Sequence, residues 1–91
     1  MTMDNLTDIL ADRGKEYGDF SSECELIQSI KRTLRSGPKW VIMDDAQKEA
    51  LDMVAHKMGR IINGNPNNID SWRDIAGYTT LIVDRIKGNN Y

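Results

Sequence analysis

The feature that most constrains the fold of this sequence is a run of apolar residues near the C-terminus that repeats with the period of an α-helix. Over residues 70–87, apolar and small side chains recur every three or four positions. This spacing puts them on one face of a helix, and other parts of the protein must cover that face. Asp70 at the start and Lys87 at the end suit the helix dipole. The face consists of Trp72, Ile75, Ala76, Thr79, Ile82, Val83 and Ile86.

The same period predicts three earlier helices and no strand. A first short helix covers residues 6–16. A second begins at Ser22, because Ser22 and Glu25 have the spacing of a capping box, in which two side chains bond the free N–H groups of the first turn. A third runs from Asp44, which starts a similar box, to about residue 63. The sequence therefore predicts an all-α fold, a small four-helix bundle built on an antiparallel hairpin of the two C-terminal helices.

Several residues outside these stripes are expected to support the packing. Tyr17 and Phe20 should anchor the first turn on the core, and the apolar segment 40–43 should be a connector pressed onto it. Gly59 and Gly77 lie inside strong helical patterns, where glycine costs about 1 kcal/mol relative to alanine. We expect both glycines to mark a close crossing of the third and fourth helices, with close approach of a ligand as the alternative.

Length, charge and cysteine content limit the class of protein. A chain of 91 residues makes one domain, residues 1–91, with a thin core. The net charge of −2 and pI near 5.2 argue against general nucleic-acid binding. Cys24 is the single cysteine, so an internal disulfide is excluded, and no signal or membrane-spanning pattern is present. We expect a cytoplasmic protein, and a homo-oligomer, because Trp40, Val41, Ile42, Tyr78 and Leu81 offer apolar surface outside the inner stripe.

Charged residues converge where the third helix ends and the fourth begins. Lys57 and Arg60 lie near the end of the third helix, and Asp70 and Asp74 lie at the start of the fourth. A Gly/Asn/Pro turn joins the two helices. We expect these groups to meet, with a partly buried Arg60–Asp74 pair. They form either an ion-pair lock between the helices or, together with Tyr78, the site of a phosphorylated ligand assisted by the amides at the helix start.

A second set of acidic residues suggests a different chemistry. Glu49 and Asp52 lie one turn apart and could hold Mg²⁺ through carboxylate oxygens, with Asp70 and Asp74 on the next helix completing the site. The alternative is a solvated charged face. His56 alone does not make a metal site, and the sequence contains no nucleophile–base pair, phosphate-binding loop or zinc spacing.

Four short elements carry a resemblance to a known group of proteins. The elements are Tyr17-Gly18, Lys57-x-x-Arg60, Asn65-Pro66 and Asp70-x-Trp72-x-Asp74-x-x-Gly77-Tyr78. They resemble a family of small phage and prophage proteins of unknown function, and the match covers most of the chain. The resemblance implies a phage or prophage origin but no activity.

A looser similarity concerns the acidic residues. Lys48-Glu49-x-x-Asp52 and Ser71-x-x-Asp74 are similar to the paired acidic motifs of MazG-like all-helical nucleotide pyrophosphohydrolases. This similarity implies a helical layout, a connection to nucleotides, and Mg²⁺ held by Glu49, Asp52 and Asp74. Lys48 and Ser71 stand where those enzymes have carboxylates, which removes charge that two-metal phosphate chemistry requires.

Three functions follow from these patterns. The first is a non-enzymatic phage accessory protein without a cofactor or catalytic residues. It binds a nucleotide-like or other phosphorylated ligand or a host protein, with a role in counter-defence, through Lys57, Arg60, Asp70, Asp74 and Tyr78. The second is a Mg²⁺-dependent nucleoside triphosphate pyrophosphohydrolase whose catalytic and metal-binding residues are Glu49, Asp52 and Asp74. The third is a pure protein-interaction module.

Overall fold

The protein is an all-α bundle of four helices. The computed structural model describes residues 3–88, with side chains from residue 5 onward, and this range contains no strand. A single 3-10 turn, Trp40–Ile42, precedes the third helix. The predicted fold class is therefore confirmed, including the hairpin of the last two helices. The helices are α1 (Met3–Tyr17), α2 (Phe20–Arg35), α3 (Asp45–Asn63) and α4 (Ile69–Ile86).

Side chains just before the helices determine where α2 and α3 begin. The capping box predicted at the start of α3 is present: the Gln47 amide donates to Asp44 Oδ1 at 2.8 Å, and the Asp44 amide donates to Gln47 Oε1 at 3.0 Å. The box predicted at Ser22 is wrong. The chain enters α2 earlier, at Phe20, because the carboxylate of Asp19 already accepts the Ser22 amide at 3.0 Å and caps the helix.

Helix α3 is the centre of the molecule. Helices α2 and α4 both pack along it, whereas α1 makes smaller contacts with α2 and α3. The core is thin, because only four apolar residues of the described range are buried and no large side chain there is completely enclosed. The buried apolar residues are Ile27, Ala50, Ala55 and Ile61.

The two helix-interior glycines have different surroundings. A Cβ at Gly59 would collide with the Ile27 side chain, so Gly59 permits a close crossing of α3 with α2. The predicted crossing of α3 with α4 at this position is therefore wrong, although the predicted reason for the glycine is right. A Cβ at Gly77 would meet nothing within 4 Å, so Gly77 marks no close crossing in this chain.

Several residues predicted to cover the core lie on the surface. Val41 and Ile42 are 77% and 73% exposed, and Phe20 is 76% exposed. The tight 3-10 turn and the early start of α2 direct these side chains outward. Trp40 and Met43 are half-buried, so the connector is pressed onto the bundle only in part, and Phe20 does not anchor the first turn.

The bundle is elongated. Its principal extents are 48 × 28 × 25 Å and its radius of gyration is 15.7 Å, compared with about 12 Å for a compact domain of this length. None of the described helices is long and apolar enough to cross a membrane.

Candidate functional site

The junction between α1 and α2 is fixed against the turn that follows α3. Gly18 has a positive φ of 83°, and a Cβ there would collide with the carbonyl group of Asn63. The Asn63 side-chain amide donates to the carbonyls of Tyr17 and Asp19, both at 3.1 Å. A Cβ at Gly64 would in turn collide with the backbone of Tyr17. Two glycines thus allow two chain reversals to pack backbone against backbone.

Glu16 extends this junction to the start of α4. Its carboxylate accepts hydrogen bonds from the side-chain amides of Asn65 and Asn68, and its carbonyl accepts the Asn65 amide at 2.7 Å. Asn68 first and Asn65 second lower the pKa of the Glu16 carboxyl, because they bond its ionised form. Asn68 Oδ1 also caps α4 by accepting the Ser71 amide at 2.8 Å. The Asn-rich turn therefore holds the ends of α1, α3 and α4 together.

The junction brings an arginine cluster to the space between α1, α2 and α3. Arg60 Nε donates to Glu23 Oε1 at 3.4 Å, and these side chains are only 20% and 10% exposed. The guanidinium carbon of Arg60 lies 4.5 Å from the centre of the Tyr17 ring. Arg13, one turn before Tyr17 on α1, approaches the same ring at 5.9 Å. Two guanidinium groups thus share one aromatic ring, and one of them also has a buried carboxylate partner.

These residues line a cavity of about 370 Å³, which we call the arginine pocket. His56 lies in its wall, and its pKa is lowered first by burial and then by the positive charge of Arg60. The exposed Phe20 forms part of the rim. The pocket is lined by Leu10, Arg13, Gly14, Tyr17, Gly18, Asp19, Phe20, Glu23, His56 and Arg60.

The residues predicted to form a ligand site at the α3–α4 turn lie in two separate places in the structure. Lys57 Nζ pairs with Asp74 Oδ2 at 2.9 Å, with the lysine side chain 13% and the carboxylate side chain 47% exposed. The predicted Arg60–Asp74 pair is wrong, because Arg60 points to the opposite neighbour of α3, towards α2 and α1. Asp70 is exposed in the first turn of α4, and Tyr78 lies one turn beyond Asp74 on that helix.

The three carboxylates of the hydrolase hypothesis are also separated. Asp52 accepts from Arg35 at 3.1 Å, Asp74 pairs with Lys57, and Glu49 is exposed on a groove beside α4. Within residues 5–88, no three His, Cys, Asp or Glu side chains come together as a metal site would require. This arrangement gives the pyrophosphohydrolase hypothesis no geometric support.

Arg13 and Glu23 were not among the site residues predicted from the sequence. Glu23 could have been noticed because it lies one turn before Ile27 on the apolar stripe of α2, where a carboxylate needs a partner. Arg13 precedes Tyr17 by four residues, a spacing that brings two helical side chains together. The partner of Arg60 could not be deduced from local spacing, because Glu23 is 37 residues away.

Comparison with known proteins adds a family but no activity. No curated protein and no solved structure matches the chain. A family defined as a domain of unknown function, DUF6378, matches residues 3–86, which is nearly the whole chain and all four helices. The protein therefore belongs to the DUF6378 family.

Proposed function

We propose that this protein is a non-enzymatic accessory protein that binds a phosphorylated, nucleotide-like ligand in the arginine pocket. The observation that carries the proposal is the convergence of Arg13 and Arg60 on Tyr17 at the mouth of a cavity of about 370 Å³. This volume lies within the range of small-molecule sites, about 300–1,000 Å³.

The donor groups of the pocket suit a phosphate. Arginine presents a planar fork of N–H groups that matches phosphate oxygens in pairs. Arg60 uses Nε for Glu23, and its two terminal nitrogens have no hydrogen-bond partner among residues 5–88. Arg13 is exposed, and its guanidinium carbon lies 5.9 Å from the centre of the Tyr17 ring. The pocket therefore offers two guanidinium forks to one anion.

The aromatic residues of the pocket suit a planar group attached to that phosphate. Phe20 lies at the rim and is mostly exposed to solvent, whereas phenylalanine side chains are usually buried. A nucleobase stacks on a ring of this kind with little dependence on its identity. We therefore favour a nucleotide over a bare phosphate.

Glu23 has a defined part in this proposal. In the free protein its carboxylate neutralises Arg60 at 3.4 Å, and the pair is mostly removed from water. A phosphate that arrives at Arg60 meets the two terminal nitrogens, while Nε keeps its bond to Glu23. Arg60 then lies between two anions, and neither its guanidinium nor the buried Glu23 carboxylate is left unpaired.

A thermal-shift screen tests the proposal. The ligands are inorganic phosphate and nucleoside mono-, di- and triphosphates, each with and without Mg²⁺. We expect a nucleotide to raise the melting temperature, because a ligand that binds only the folded state stabilises it. Arg13→Gln should weaken that nucleotide about 10–100-fold, the effect of losing one hydrogen bond to a charged group.

Two control variants locate the site. Arg73→Gln removes the same charge from an exposed position on α4 and should leave ligand affinity unchanged. Lys57→Gln disrupts the α3–α4 pair and should also leave it unchanged. Absence of a shift with every nucleotide would contradict the proposal, as would equal losses in Arg13→Gln and Arg73→Gln. Release of pyrophosphate that is lost in Glu49→Ala would contradict the non-enzymatic part.

The remaining parts of the proposal concern the setting of the protein. We propose a phage or prophage origin, action in the host-cell cytoplasm, and a homo-oligomeric state. Capture of a nucleotide or a host protein would serve a counter-defence role. The origin and the host setting rest on the sequence elements shared with small phage proteins, and the homo-oligomeric state rests on apolar surface outside the inner stripe. The arginine pocket does not depend on either.

A further inference from the structure

We infer that two copies of this chain pair through an apolar face formed by α3 and α4, on the side of α3 opposite to the arginine pocket. This inference names the partner and the surface of the proposed homo-oligomer and therefore rests on that part of the proposed function. It is independent of ligand binding.

Two apolar rows form the face. On α3, side chains recur at steps of three and four residues, which keeps them on one side of the helix. A matching row follows α4, and an apolar groove of about 300 Å³ joins the rows where Leu51 and Val54 lie beside Thr79 and Ile82. We call this surface the apolar face. Its members are Leu51, Val54, Met58 and Ile62 on α3, and Trp72, Ile75, Thr79, Ile82, Val83 and Ile86 on α4.

No part of the chain between residues 5 and 88 covers the apolar face completely. Ile62 and Ile86 are 65% and 72% exposed, and Met58, Trp72 and Val83 are also exposed. The arginine pocket uses His56 and Arg60, each of which lies two residues before a member of the face. Side chains two residues apart point about 200° apart around a helix axis, so α1 and the pocket lie on the other side of α3.

A second copy of the chain suits this face better than a different partner. None of the ten side chains of the face is ionisable, so it carries no charge pattern that would select a different protein. A domain normally consists of two packed layers around one core. Here α2, α3 and α4 form one layer with one uncovered apolar side. A second copy of the chain, related by a two-fold axis, would provide the second layer.

The surface area agrees with a dimer. The chain exposes 6574 Å², about 1,200 Å² more than the roughly 5,400 Å² of a compact monomer of this mass. A stable interface removes about 800 Å² from each partner. The excess is therefore large enough for one specific interface.

Sedimentation equilibrium of the full chain tests the inference. We expect a mass twice the 10.3 kDa of one chain. Ile62→Glu and Ile86→Glu should each weaken the dimer at least about 100-fold, because a two-fold axis places both introduced charges in one interface. The matched control is Val41→Glu, which changes an equally exposed β-branched residue outside the face and should remain dimeric.

A second measurement covers the case in which the variants fail to fold. The melting temperature of the unaltered protein should rise with protein concentration, as for any dimer that unfolds to monomers. In a Trp40→Phe background, the Trp72 emission should shift to longer wavelength on dilution as the face becomes wet.

The outcomes separate the claims. A monomeric unaltered chain would contradict both the dimer and the homo-oligomer part of the proposed function. A dimer that survives Ile62→Glu and Ile86→Glu, or a Trp72 emission independent of concentration, would overturn the apolar face alone. None of these results bears on the nucleotide screen, because that screen tests ligand binding on the opposite side of α3.

Discussion

His56, the only histidine in the chain, reports on the electrostatics of the arginine pocket at the scale of one residue. Burial and the charge of Arg60 lower its pKa in the folded protein, and the nearby Glu23 opposes them. The histidine signal in an NMR titration should therefore have its midpoint below the ordinary value of about 6.5. In Arg60→Gln the midpoint should move upward, and an unchanged midpoint would show that Arg60 does not act on His56.

The same pKa shift predicts a pH dependence of stability. Above about pH 6.5 both the folded and unfolded states hold neutral His56. As the pH falls below that value, the unfolded state takes up the proton first, so the free energy of unfolding decreases. Urea unfolding of the unaltered protein should show this decrease between about pH 7 and 5.5, and His56→Gln should remove most of it. An identical slope in the variant would assign the effect to other groups.

Two glycines give a matched pair of substitutions. Gly64→Ala places a methyl group against the Tyr17 backbone, so we expect a loss of at least about 2 kcal/mol in the free energy of unfolding. Gly77→Ala meets open space in a helix and should stabilise by about 1 kcal/mol. Chemical unfolding of both variants checks this contrast, and similar effects would contradict the described packing.

At the scale of helices, two ion pairs link α3 to its neighbours with different strengths. The Arg60–Glu23 pair is mostly buried, and Arg60→Met would leave Glu23 uncompensated. We expect this change to lower the free energy of unfolding by about 2–3 kcal/mol. Lys57→Met should lower it by less than about 1 kcal/mol, because Asp74 is half exposed and can be solvated. A larger loss in Lys57→Met than in Arg60→Met would show that the stronger ion pair links α3 to α4.

The sequence predicted the helices better than their contacts. The periodic stripe of α4 and the Asp44–Gln47 box fixed two helices to within a residue or two, because both signals are local. The start of α2 was misplaced, since Asp19 competed with Ser22 as the cap and local spacing alone could not rank them. Contacts between helices depend on how each helix is rotated, which is why Arg60 was assigned to the wrong neighbour.

At the scale of the whole molecule, α1 is the least supported helix. It makes few contacts with the rest of the bundle, and Leu6, Ile9 and Leu10 remain at least 40% exposed. Hydrogen exchange should therefore be fastest in the first turns of α1 and slowest in α3, because local opening of α1 exposes little buried surface. A nucleotide in the arginine pocket should slow exchange in α1, and equal protection of α1 and α3 without ligand would contradict this description.

The candidate site was only partly predictable because it forms at the scale of the whole chain. The Tyr17-Gly18 and Asn65-Pro66 elements were visible in the sequence, but their meeting depends on Asn63 reaching two carbonyls across the bundle. Arg60 was predicted from the sequence as a ligand-binding residue, whereas Arg13 and Glu23 were not. The apolar stripes were identified as core, yet one chain leaves much of them uncovered.

An NMR titration of His56 with nucleotide is the sharpest test of nucleotide binding in the arginine pocket, because this residue lies in the wall of the pocket. We expect a saturable change in the His56 ring signals and a higher His56 pKa in the complex, since the phosphate adds negative charge beside it. Arg13→Gln should weaken the response and Arg73→Gln should not. Binding that leaves the His56 signals and pKa unchanged, or no binding of any nucleotide, would show that the arginine pocket is not a nucleotide site.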